Sequence, residues 1–132
     1  GGFDAVVLQE QSLTPAGGVW GPHPRPYAAR EASEEALRRC YAPVLRDLQQ
    51  QHGTRVLLYQ TWGRPAKMHG QPEVLGDFED MSRRLAEGYE HYARALAEEG
   101  VVAPETVACG EAYVRLGRSA SAPLLPSLYA DA

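Results

Sequence analysis

Two short polar runs in this 132-residue sequence hold the residue types that acyl-transfer chemistry uses. In the first, Gln9-Glu10-Gln11-Ser12 follows directly on the apolar run Val6-Val7-Leu8. Side-chain amides so placed can donate hydrogen bonds to an oxyanion developing on an attacked carbonyl, a role worth about 3–4 kcal/mol in acyl-transfer sites. Gln9 and Gln11 are the candidate donors, and Glu10 and Ser12 the candidate substrate contacts. The same run can instead be a loop start that caps a neighbouring helix or solvates itself. In the second run, Tyr59-Gln60-Thr61-Trp62, two aromatic rings flank a hydroxyl. Tyr59, Thr61 and Trp62 can line a pocket, or the rings can fill the edge of a core.

Other chemistry-bearing residues are less organised. Glu87 and His91 share a helix face at i, i+4, but two ligands do not complete a metal site, and a surface pair accounts for them. His23, His52 and His69 stand in or near loops, so no metal site is expected. Arg25, Arg30 and Arg64 flank the two polar runs and are read as solvated loop residues that can also meet an anionic or sugar ligand. No glycine-rich phosphate loop or dinucleotide fingerprint occurs, and no organic cofactor is implied.

The elements that must position these runs alternate in type. Residues 3–8 read as a buried strand. Residues 9–30, with four prolines and three glycines, read as a long irregular loop. Ser33 is placed to cap a helix, with Glu34 and Glu35 in its first turn. Leu37, Tyr41, Val44, Leu45 and Leu48 carry that helix to about Gln51, with Gly53 as its stop and Pro43 expected to kink or split it. Residues 55–60 form a second strand, and residues 61–76 a second loop. Asp77 is the cap of a second helix whose apolar face is Met81, Leu85, Tyr89 or Gly88, Tyr92 and Leu96, ending at Gly100. Residues 101–103 and 106–108 are extended, residues 110–116 a short helix, 119–126 a loop, and Leu128 and Tyr129 a last extended piece. This order predicts an α/β fold with a mostly parallel sheet and helices on both faces. Ligand sites in such sheets lie at the carboxyl ends of strands, where both polar runs fall.

Composition narrows the function classes. Thirteen Lys and Arg against seventeen Asp and Glu give a net charge of −4, and no basic cluster offers nucleic acid a surface. The apolar runs are a few residues long, far from the roughly 20 a membrane span needs. Cys40 and Cys109 have no C-x-x-C partner and are read as reduced and buried. No basic and apolar leader is visible at the start of the chain, which reads as one domain over residues 1–132 that is either processed or part of something longer.

Three motifs in order then carry a resemblance: D-A-V-V-L-Q-E-Q-S at residues 4–12, L-Y-Q-T-W at 58–62 and V-A-C-G-E-A-Y at 107–113. Together they resemble the SGNH (GDSL-like) hydrolase superfamily, in a branch with Q-E-Q-S where the third sequence block usually reads G-x-N-D. The likeness runs from about Phe3 to Asp131. It implies a three-layer α/β/α sandwich with a flavodoxin-like sheet, and serine ester hydrolysis, often of acylated carbohydrates. Its implied partner is a small-molecule or carbohydrate ester. Gln11 takes the position of the third-block Asn and Gln9 that of its Gly; related carbohydrate esterases carry Gln-Gly-Glu at this strand end, so either amide serves the oxyanion hole.

The resemblance also implies a nucleophile block before Gly1 and an Asp-x-x-His block at the end, neither of which is in this chain. Three positions before the four histidines stand Trp20, Gln49, Ala66 and Gly88, none of them Asp. Gly117-Arg118-Ser119 has a G-x-S pattern but follows no strand. Asp131 is the acid only if a His follows at position 134. The chain is therefore expected to be the middle of a hydrolase domain, inactive alone. The other reading is a non-catalytic binding or scaffold module on the same fold.

Overall fold

In a computed structural model, residues 2–118 are described. Strand β1 (Ala5–Leu8) leads through a long connection into α1 (Ala28–Ala36), a π-helical turn (Leu37–Tyr41) and α2 (Ala42–His52). Strand β2 (Arg55–Tyr59) follows, then the short helices α3 (Ala66–His69) and α4 (Pro72–Leu75), the long α5 (Phe78–Glu98), β3 (Glu105–Val107) and α6 (Cys109–Arg118). The loop expected over residues 119–126, the extended piece at Leu128 and Tyr129, and Asp131 lie outside the described residues.

The three strands form a parallel sheet in the order β1-β2-β3, with Ala5 opposite Arg55, Leu8 opposite Leu58, and Tyr59 opposite Val107. Helices join each strand to the next, so the fold is α/β as the alternation predicts. Side chains alternate across a strand, so Val6, Leu8, Val56 and Leu58 share one face. That face meets Leu37, Leu45, Leu85, Tyr89, Tyr92 and Leu96 in one hydrophobic cluster. On the opposite face Val7 is 57% exposed and Val107 38%, so the strand expected over residues 3–8 to be buried on both faces is covered on one face only and starts at Ala5.

Local chemistry explains the helix boundaries. Asp77 caps α5, its Oδ1 accepting from the N–H groups of Glu79 and Asp80 at 2.8 and 3.0 Å. Gly53 closes α2 in the left-handed region, φ 66°, where a Cβ would be strained. Pro43 splits the first helical segment as its sequence requires. It sits in the first turn of α2, where its missing N–H is harmless. The strain of joining it to α1 is absorbed by the π turn, whose end is marked by the Ala42 N–H bonding back to Leu37.

Three further expectations need correction. Ser33 is no N-cap: α1 begins at Ala28, with Tyr27 at the cap in the left-handed region, φ 66°. Main-chain bonds from Tyr27 N–H to Gly17 and from Ala28 N–H to Arg25 set that earlier start. The segment 61–76 is not irregular throughout, since Pro72 and the turn around Ala66 each open a short helix. Finally, Cys40 is exposed and Cys109 partly so; both are free thiols, displaced from the core by the outward face of the π turn and the end position of α6. None of the described helices is long and apolar enough to cross a membrane.

Candidate functional site

The carboxyl ends of β1 and β2 are neighbours, and the chain knits their two polar runs together there. The buried Ser12 hydroxyl donates to Thr61 Oγ1 at 3.1 Å. Beyond Ser12 the chain turns tightly, with Thr14 N–H to Gln11 and Gly18 N–H to Leu13, and buries Pro15 and Ala16. Gly88 on α5 makes this close approach possible, because a Cβ there would collide with the Pro15 carbonyl. Farther along, Gln71 straps the two long connections to one another: its amide accepts from Val19 N–H at 2.8 Å and donates to the Val19 carbonyl at 2.7 Å.

Within Gln9-Glu10-Gln11 the side chains part company. Gln9 is exposed at the strand end. Gln11 is half-buried, and its Oε1 accepts from Leu13 N–H at 2.7 Å. Glu10 is held on the covered side. Its carboxylate accepts from Gln11 N–H at 2.8 Å and from the Ser33 hydroxyl at 2.9 Å, and its own N–H donates to Tyr89 Oη at 3.2 Å. Spacing places Gln9, Glu10 and Gln11 together; the structure gives each a different surrounding.

The second run divides in the same way. Gln60 is buried, its carbonyl taking Gly110 N–H at 3.2 Å and so fixing the start of α6. Thr61 is buried against Ser12. Trp62 is half-buried and lies flat on Tyr113, ring centroids 4.4 Å apart and planes 2° apart. Tyr59 is half-buried beside Cys109, and its hydrogen bond to that side chain holds the Tyr59 phenol above the usual tyrosine range.

Sequence reasoning did not single out Ser33 or Tyr113 for the site, and read Tyr89 and Tyr92 as packing. Both tyrosines are indeed buried, in edge-to-face contact at 5.6 Å. Yet their hydroxyls reach the polar end of β1. The available signal was chemical: a buried tyrosine on an apolar helix face needs a partner for its hydroxyl. Burial pushes both phenols up from the ordinary tyrosine value.

Two of the three flanking arginines are engaged by carboxylates or rings. Arg25 pairs with Glu31. Arg30 lies 4.6 Å above the Tyr27 ring and 3.6 Å from Glu34. Arg64 is exposed. Glu87 and His91 turn to different partners, Arg83 at 3.1 Å and Glu34 at 3.4 Å. Among the described residues no group of three or more His, Cys, Asp or Glu could hold a metal ion.

No family model matches this chain, and no curated protein or solved structure matches it.

Proposed function

We propose that this chain supplies the oxyanion-stabilising and substrate-lining part of an SGNH-type serine ester hydrolase. The observation that carries the reading is the bond made by Gln11. A backbone N–H can bond only to the oxygen of a side-chain amide, so the contact from Leu13 fixes which way the amide faces. With its oxygen committed to the turn, Gln11 has its NH₂ group left to offer a ligand. Gln9, exposed one strand residue beyond Leu8, is the second amide at the same carboxyl end.

In this reading a serine and a histidine come from sequence adjoining the chain. The serine attacks the carbonyl of a small-molecule or carbohydrate ester while the histidine takes its proton. The carbonyl oxygen becomes an oxyanion, stabilised by the N–H groups of Gln9 and Gln11. Collapse expels the alcohol, which receives the proton from histidine, and water then releases the acyl group by the same steps. Ser12 and Glu10 serve the site by fixing the loop; Tyr59, Thr61 and Trp62 line its far side. The reading includes a further helical layer over Val7 and Leu57, completing the three-layer sandwich, and it needs no metal or organic cofactor.

The experiment is labelling with a fluorophosphonate probe, read by intact mass. The 132-residue chain is compared with a form extended to the ends of its coding sequence. Labelling of the extended form alone is the expected result. In that form Gln11→Glu, which keeps the acceptor for Leu13 but removes the donor, lowers kcat by about 10²–10³-fold. If neither form labels, the hydrolase reading falls and a non-catalytic binding module takes its place. If kcat is unchanged in both Gln11→Glu and Gln9→Ala, the oxyanion assignment is wrong.

A further inference from the structure

A cavity of about 170 Å³ opens beside the end of β1, between the strand, the π turn and α5. Its apolar wall is Leu8, Leu37 and Leu58, and its polar end is Glu10, Ser33 and Tyr92. The exposed Tyr41 and Gln9 stand at its mouth. An engineered apolar cavity of about 150 Å³ holds benzene, so this one admits a body of similar size. Single π turns recur at functional sites, and here the turn supplies Leu37 and Tyr41 to the wall.

The polar end is incompletely satisfied. Tyr92 is only 2% exposed, and its Oη, beside the Ser33 hydroxyl, makes no hydrogen bond of ordinary geometry. Leaving a buried hydroxyl unpaired is expensive, and such groups in folded proteins usually find a partner. The neighbouring Ser33 cannot give Tyr92 its proton, because it donates it to Glu10. The Glu10 carboxylate takes one bond on each oxygen, from Gln11 and Ser33, and each oxygen has lone-pair capacity to spare. The pocket therefore offers a donor in want of an acceptor beside an acceptor able to take another donor. A hydroxyl satisfies both at once, accepting from Tyr92 and donating to Glu10, and the apolar wall of Leu8, Leu37 and Leu58 favours one carried on a hydrocarbon body. An ammonium group has no lone pair for Tyr92, and a carboxylate has no proton for Glu10.

We propose that this pocket is a binding site for a compact alcohol, its hydroxyl bridging Tyr92 and Glu10 and its hydrocarbon body lying on Leu8, Leu37 and Leu58. The inference stands apart from the hydrolase reading and needs no catalysis. Burial keeps the Tyr92 phenol protonated well beyond neutral pH, so it remains a donor.

The test uses the 132-residue chain with cyclohexanol and cyclohexyl methyl ether as probes, followed by backbone amide chemical shifts. Cyclohexanol should shift Glu10, Ser33 and Leu37 with a Kd on the order of 1 mM. The ether keeps the acceptor but lacks the proton for Glu10, and should bind about tenfold more weakly or less. Tyr92→Phe keeps the ring and removes the unpaired hydroxyl. It should melt no lower than the parent and bind cyclohexanol about tenfold more weakly. Equal binding of alcohol and ether, undiminished binding by Tyr92→Phe, or no shifts at these residues with either probe would each overturn the proposal. The comparison of the two probes on the unmodified chain decides the matter without any variant.

Discussion

Tyr92 shows how a single buried hydroxyl acts on both stability and binding. Its phenol is raised because burial disfavours the phenolate, with the nearby Glu10 among the charges that add to the effect. The folded chain thus keeps a proton that the unfolded chain releases near the ordinary tyrosine value of about 10. That contribution to stability is whole below pH of about 10 and declines as the pH rises further. Tyr89 is raised for the same first reason and adds to the decline. Urea titrations from neutral pH to about pH 11 should show stability falling at the alkaline end. The fall should be shallower in Tyr92→Phe; an equal slope in parent and variant would show that Tyr92 has no part in it. At the same scale, the Ser12–Thr61 bond is a neutral buried contact worth about 1 kcal/mol, enough to hold two loops in register but not to define the fold.

Helix α5 is the element that organises the site. Its capped start fixes its rotation, and its buried stripe carries Met81, Leu85, Tyr89, Tyr92 and Leu96. The two tyrosines sit three apart, so both hydroxyls reach the same end of β1. Asp77 satisfies two of the four N–H groups that every helix start leaves open. Asp77→Ala should lower stability by about 1 kcal/mol, whereas Asp77→Ser should recover most of it, as read from thermal melts. Loss of equal size in both would mean that the cap matters less than the charge on Asp77. The π turn between α1 and α2 is the complementary device. It joins α1 to α2 at the split made by Pro43 and turns Leu37 inward while Cys40 and Tyr41 remain exposed.

For the molecule as a whole, the two faces of the sheet differ in energetic weight. Leu58 is 1% exposed in the cluster between sheet and helices, while Val7, on the same sheet but the other face, is 57% exposed. Leu58→Ala should therefore cost about 2–5 kcal/mol. Val7→Ala should cost about 0.5 kcal/mol or less. Denaturant midpoints distinguish the two, and comparable losses would show that the outer face is covered in solution. The fold was largely legible in advance because it rests on periodicity. Short continuous apolar runs gave β1 and β2, the three-four spacing gave α2 and α5, and Gly53, Asp77 and Pro43 punctuated them. The start of α1 was misread because Ser33 satisfies every local rule for a cap. What moved the start to Ala28 was the bond between Tyr27 and Gly17, ten residues apart in sequence.

Sequence by itself determined which residues are polar at the ends of β1 and β2, and that two parallel strands would bring those ends together. It did so because strand period, helix period and capping are local properties of neighbouring residues. Only tertiary structure decided how those residues are used. It sent Glu10 to the covered side against Ser33 and Tyr89, tied Gln11 to Leu13, paired Ser12 with Thr61 and laid Trp62 on Tyr113. It also buried the Tyr92 hydroxyl beside Ser33 with no hydrogen bond of ordinary geometry. Except for the Gln11 turn, these contacts join residues 23 to 79 positions apart in sequence. Such pairings follow from the packing of helix on sheet, which no local pattern encodes.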